Sequence, residues 1–367
     1  MRLVLEKRAE QSVRMAILSP FIALALTVIA GGIIFALRGL NTFEALYVYF
    51  IEPLTQDWAR EQLIVKAAPL ILIGSGLAVC YTANVWNIGA EGQFVIGALL
   101  AGMIPVYFPA WQSPDVMVVM LALGIIGGMA WGAIPAFLKI RFSANEILTS
   151  LMLVYVAQYL FDWLVRGPWR DPQGFNFPQT VTFAKPTQVP RLFSGLRINV
   201  GLIVALVAVV GMTIFLFRLF RGMQAQIGGL APMAARYGGF SSRASLWTAL
   251  LTSGGLAGLA GALEATGPLG QLTPYVPVGY GFAAIIVAFV GRLHPVGIVF
   301  SAVLMSMFYI GGELAQSRMQ LPKSITGVFQ GLLLFSLLAS DTLILYRVRW
   351  VAARRSSAKT TAARATT

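Results

Sequence analysis

The sequence has 367 residues, 57% of them hydrophobic and only 11% charged, with a mean hydropathy of +0.77. A water-soluble protein carries about 25% charged residues, so a soluble globular fold is excluded. Lys and Arg outnumber Asp and Glu by 27 to 14, a net charge of +13; the excess falls in short loops and at both ends, which reads as membrane topology and not as a nucleic-acid site. One cysteine, Cys80, leaves no disulfide within the chain, and one histidine, His294, without a Cys/His cluster argues against zinc. No Gly-x4-Gly-Lys-Ser/Thr is present, so the chain carries no P-loop ATPase of its own. No metal or cofactor is expected.

The basic N-terminus (Arg2, Lys7, Arg8, Arg14) is followed at once by an apolar run, Ala16 to Leu37. That run is long enough to span and too long for a cleavable signal peptide, and the charge bias places the N-terminus in the cytoplasm. Asn41 to Arg60 lies outside, where Tyr47, Tyr49, Phe50 and Trp58 suit an interfacial helix. The second span runs from Leu63 to Asn84, with Lys66 near enough to its outer end to snorkel. Next comes Asn84-Val-Trp-Asn-Ile-Gly-Ala-Glu-Gly-Gln93, holding Glu91, the one acid between Glu61 and Asp115, between Gly89 and Gly92. A carboxylate in hydrocarbon costs about 2.5–3.5 kcal/mol on insertion scales, so such residues face protein or a watery path. Glycines weaken the helix there, and the stretch reads as a discontinuous segment lining a substrate pathway. The plainer reading is a cytoplasmic turn, with Asn87 capping the next helix and Glu91 in its first turns.

The third span covers Phe94 to Ala110 and the fourth Val116 to Phe137, whose Gly124, Gly128 and Gly132 let a neighbouring helix approach closely. Lys139 and Arg141 mark a cytoplasmic loop, and Ser143-Ala-Asn-Glu146 matches a capping box opening the fifth span, with Glu146 a cap first and a functional acid second. The proline-rich segment Arg166 to Val200 is the longest polar stretch and is expected outside as a docking surface, despite five basic residues. After the sixth span, Gly201 to Phe217, Arg218, Arg221, Arg236 and Arg243 return the chain to the cytoplasm; Gly228 to Gly239 holds a short helix with Pro232 at its start, either an amphipathic connector or a functional element.

The seventh span begins near Ala244 and carries Gly254, Gly258 and Gly261, with Glu264 near its outer end reaching the interface. No charge occurs from Ala265 to Gly291; the first half reads as a loop or re-entrant piece and Phe282 to Val290 as a short eighth span. A short span here, matching the broken one in the first half, points to a transport site between two repeats. The candidate path residues are Asn84, Trp86, Asn87, Glu91, Gln93, Tyr280 and Phe282. Arg292 and His294 are cytoplasmic, the ninth span is Val296 to Ile310, Arg318 and Lys323 lie outside, and the tenth span is Thr326 to Leu345. The fold expected is all-α and polytopic, with about ten transmembrane helices, some short or discontinuous, and both termini cytoplasmic.

Asn84 to Gln93, Asn145-Glu-Ile-Leu-Thr-Ser-Leu-Met-Leu153, Ala234-Ala-Arg-Tyr-Gly238 and the run from Gly279 to Gly297 resemble, in order, the permease subunits of bacterial ABC importers. The likeness is to the ribose and branched-chain amino acid permease superfamily, and within it to the larger permease of nucleoside importers that use a basic-membrane-protein-type lipoprotein. The resemblance implies a multi-pass subunit of the bacterial cytoplasmic (inner) membrane that performs no chemistry. It implies three partners besides membrane lipid and a small-molecule nucleoside or simple sugar: an ABC ATPase subunit that hydrolyses ATP, a second homologous permease, and an external substrate-binding lipoprotein; no nucleic acid is involved. It also makes Leu230, Ala231, Pro232, Ala234, Ala235, Arg236, Tyr237 and Gly238 the coupling helix that rests in a groove of the ATPase. Residues 1–15 would then be a basic cytoplasmic N-terminus, 16–346 the permease domain and 347–367 a disordered basic tail. The pattern departs at Val154 and Ala231, where such permeases tend to carry Asn. The rival reading is a secondary carrier with ion coupling through Glu91.

Overall fold

A computed structural model describes residues 2–8, 12–113, 115–193 and 195–351; of the basic tail expected over 347–367, residues 352–367 lie outside the described residues. Fourteen α-helices follow in order: α1 Val13–Leu37, α2 Thr42–Leu46, α3 Glu52–Thr55, α4 Asp57–Thr82, α5 Ala90–Tyr107, α6 Val116–Phe142, α7 Glu146–Arg166, α8 Gly201–Arg218, α9 Phe220–Leu230, α10 Pro232–Tyr237, α11 Ser242–Glu264, α12 Tyr280–Val290, α13 Pro295–Met319 and α14 Ile325–Leu345. Among the described residues, nine helices are long and apolar enough to cross a membrane, and Tyr280–Val290 is a tenth, shorter apolar helix. The expected polytopic all-α architecture is therefore observed. The second span starts earlier than expected, at Asp57, and the ninth continues to Met319, so Arg318 stands in its last turn and pairs with buried Glu52 at 2.5 Å.

The chain divides into two compact units, Gly32–Gln330 and a smaller one of Met1–Gly31 with Gly331–Thr367. In the smaller unit β1 (Arg2–Lys7) pairs antiparallel with β2 (Tyr346–Val351), and Ser19 Oγ donates to Asp341 Oδ1 at 2.5 Å.

In the larger unit α4, α5 and α11 are the most buried long helices, and glycine lets them and α6 touch backbone to backbone. A Cβ on Gly128 would strike the Gly254 carbonyl, one on Gly258 the Gly124 carbonyl, and one on Gly97 the Gly258 backbone. Close approach of this kind is what holds helices together where lipid removes the hydrophobic drive. Gly258→Val is expected to abolish accumulation of the subunit in membranes, since overpacking already costs about 1–3 kcal/mol when side chains can yield and a backbone cannot. Gly211→Ala, on α8 with open space around it, should accumulate normally; an immunoblot of the membrane fraction checks both. The outward faces of α7 and α8 carry Leu148, Met152, Tyr159, Trp163, Val207 and Val210, all exposed and suited to lipid.

Two local expectations are corrected. Tyr49 is not interfacial: a π-helical turn, Tyr47–Ile51, directs it inward, where it is fully buried, its ring stacks on Phe329 at 4.2 Å and its hydroxyl donates to the Phe308 carbonyl at 3.1 Å. Ser143 does not open a capping box. It adopts φ 53° and ends α6, its N–H bonding the Lys139 carbonyl at 3.0 Å, while Asn145 caps α7 by accepting from Ile147 N–H at 2.9 Å. Glu146, freed from the box, is buried and pairs with the partly exposed Lys139.

Candidate functional site

The break between α4 and α5 begins with a Schellman turn. Asn84 takes φ 54°, Asn84 N–H bonds the Tyr81 carbonyl at 3.1 Å and Val85 N–H the Cys80 carbonyl at 2.8 Å; Asn is among the few residues that accept this left-handed cap. The chain then turns back along the helices it has just left. Asn87 is fully buried, and its amide nitrogen donates to Gln93 Oε1 and to Ser253 Oγ, each at 3.0 Å, while its Oδ1 accepts from Gly89 N–H at 3.0 Å. Ser253 stands midway along Ser242–Glu264, about 16 Å from either end at 1.5 Å per residue. Asn87 thus sits deep among the helices, bonded to the residue before α5, to Gln93 within α5 and to a neighbouring helix.

Glu91, in the first turn of α5, is fully buried. Its Oε1 accepts from Gly279 N–H at 2.8 Å and its Oε2 from Gly281 N–H at 2.5 Å. These are the opening amides of α12, which Gly279 starts with φ 85° and no side chain of its own to cap them. A carboxylate at a helix N-terminus satisfies orphan donors and meets the positive end of the dipole. Gly281 allows the approach, because a Cβ there would collide with the backbone of Ala90 and Glu91. The two aberrant stretches of the sequence therefore meet, start to start, at one buried acid.

Not all the predicted path residues gather there. Tyr280 packs its ring edge-on to Phe94 at 5.9 Å and to Tyr309 at 5.4 Å, with half-buried Phe282 beside it in sequence. Asn87 and Gln93 form the Ser253 network. Trp86 instead lies at the opposite end of α12, 6.1 Å from Phe289 and 5.4 Å from Tyr81, and Asn84 is exposed.

Composition missed a second set of polar groups. Lys66 does not snorkel; it pairs with Glu313 at 3.1 Å and lies 5.8 Å from the Tyr309 ring. Glu264 does not reach an interface; it is buried, with the side chains of Tyr280 and Lys66 as polar neighbours. The signal available was complementary charge inside apolar spans, since intramembrane ions pair with one another.

The Leu230–Gly238 segment forms an elbow between α9 and α10. Leu230, Met233 and Tyr237 are 87%, 70% and 90% exposed, Arg236 is exposed, and Ala235 alone is buried. Gly229 seats the elbow against the Thr82 carbonyl, at the start of the broken stretch. A 380 Å³ cavity beside it is bounded by Asn84, Pro232, Arg243 and the Lys139–Glu146 pair.

The family described as the permease component of branched-chain amino acid transport systems matches residues 59–338, which includes both meeting stretches. The chain belongs to this family. It is 30% identical to the glucose ABC transporter permease protein TsgB13 of Haloferax volcanii, over 90% of this chain and 89% of that one. It is 26% identical to the guanosine ABC transporter permease protein NupP of Bacillus subtilis, over 91% and 95%, and 27% identical to the nucleoside ABC transporter permease protein NupB of Lactococcus lactis, over 87% and 90%. This permease is a multi-pass transmembrane subunit of an ABC importer in the inner membrane, and the relatives it matches are transport components.

Proposed function

We propose that this permease forms half of the translocation path for a nucleoside or simple sugar. An external binding lipoprotein delivers the substrate, and a separate ABC ATPase drives the passage. The observation that carries the path is the junction of the two broken segments at Glu91, because discontinuous helices meeting at depth are where transporters build their sites. Asn87, Glu91, Gln93, Tyr280 and Phe282 line it, with Asn84 and Trp86 toward the cytoplasmic end. The substrate class rests on relatives named for glucose, guanosine and nucleosides, which are neutral molecules rich in hydroxyls. Those suit a wall of amide, phenol and hydroxyl groups.

The elbow from Leu230 to Gly238 serves as the coupling helix: its exposed apolar tip fits a groove, and Arg236 makes a charge-assisted contact with an acidic residue of the ATPase. A second homologous permease completes the path, both termini face the cytoplasm, and residues 166–200 receive the lipoprotein. Glu91 is poorly placed as an ion carrier, since both its oxygens are held by backbone N–H groups. Purification of the tagged subunit in mild detergent should bring down a Walker-motif ATPase, a second permease and a lipoprotein. It should then give ATP-dependent uptake of nucleosides or sugars in liposomes. A subunit that purifies alone and transports without ATP would instead establish the carrier.

A further inference from the structure

Above the Glu91 junction, between the start of α12, the outer half of α13 and the first turns of α14, lies a cavity of 260 Å³. Gly279, whose N–H is held by Glu91, forms its floor; Phe282 and Tyr309 supply aromatic walls; Glu313, Thr326 and Gln330 supply polar groups. The Lys66–Glu313 pair fixes the carboxylate at the cavity edge through Oε1, and Glu313 keeps 47% of its side chain exposed. Gln330 Nε2 is buried there and, among the described residues, meets no acceptor in hydrogen-bonding geometry. An unpaired buried donor is costly, and native proteins keep one where a ligand or strain accounts for it.

The volume falls just below the usual range of small-molecule pockets, about 300 to 1,000 Å³, so it admits one ring system and not an oligomer. The chemistry is equally selective. A carboxylate has two acceptor oxygens for the two donors of a vicinal diol, an amide N–H matches a hydroxyl or ring oxygen, and aromatic faces cover the C–H side of a sugar.

We infer that this cavity is the entry-side subsite for the diol-bearing ring of the substrate, with Glu313 accepting from adjacent hydroxyls, Gln330 donating to a third oxygen, and Phe282 and Tyr309 packing on the ring. The inference rests on the proposed nucleoside or sugar substrate. It adds residues that face substrate before it reaches the junction.

The test uses the assembled importer in nanodiscs without its binding protein, probed by saturation-transfer NMR with adenosine, 2′,3′-dideoxyadenosine and D-glucose. Adenosine or glucose should receive saturation from the wild type and the dideoxy compound should not. Gln330→Leu should weaken binding about tenfold, the factor set by one hydrogen bond of ordinary strength, while the thermal midpoint stays level or rises because an unpaired donor has gone. Glu313→Gln should weaken it at least as much. Equal binding of the dideoxy compound, wild-type binding by Gln330→Leu, or no transfer from either hydroxyl-bearing probe overturns the subsite. ATP-dependent uptake measured with the lipoprotein present separates the two failures: if neither adenosine nor glucose enters, the substrate class falls, whereas undiminished uptake by both variants removes only the subsite.

Discussion

Glu91→Ala is expected to lower the thermal midpoint of the purified permease by about 5 °C or more and to remove most ATP-driven uptake. The substitution strands the N–H groups of Gly279 and Gly281 in a buried site, at about 1–3 kcal/mol each. That is a large share of a total stability of about 5–15 kcal/mol. Glu91→Gln keeps one acceptor and fills the same space, so it should fall between wild type and alanine in both measurements. The graded response separates a clamp from a proton carrier. A carrier loses uptake equally in both variants and is sensitive to a protonophore at constant ATP; a clamp is not. An alanine variant with an unchanged midpoint and normal uptake would show that the junction is not held by this acid.

The second large effect is expected at the elbow. Arg236→Glu should leave the subunit folded and inserted, because Arg236 is exposed on α10 and exposed substitutions stay within about 0.5 kcal/mol. Uptake should nevertheless drop tenfold or more, since truncating or reversing one partner of a buried interfacial charge pair costs about 2–5 kcal/mol, and 1.4 kcal/mol is a factor of ten. Tyr237→Ala removes the most exposed ring of the elbow and should act in the same direction. The informative readout is substrate-stimulated ATP hydrolysis beside uptake, with the thermal midpoint as control. Uptake at the wild-type rate by Arg236→Glu would remove the coupling assignment.

Together these experiments address a mechanical question that the geometry poses. Gly229 sets the elbow on Thr82, Asn84 turns the chain two residues later, and Asn87 and Glu91 tie the turn to α11 and α12. The elbow is thus linked by consecutive contacts to the place where α5 and the short helix α12 begin.

What the sequence determined by itself was the set of spans, the close-packing glycine faces and the short helix between the sixth and seventh spans. Exclusion of charge from hydrocarbon is a sum over neighbouring residues, so it can be read locally, and Gly128, Gly254 and Gly258 advertise close approach by their spacing alone. It also marked Glu91 and the run after Gly279 as out of place, each for its own composition. Only the tertiary structure decided that they answer one another across 188 positions of chain. The same holds for Tyr49 turned into the core, for Asn145 rather than Ser143 capping α7, and for Lys66 meeting Glu313. The reason is physical: a helix has few ways to cross a membrane, but its rotation and its neighbours are set by packing against distant segments, and a carboxylate's partner depends on that rotation and on no residue near it in sequence.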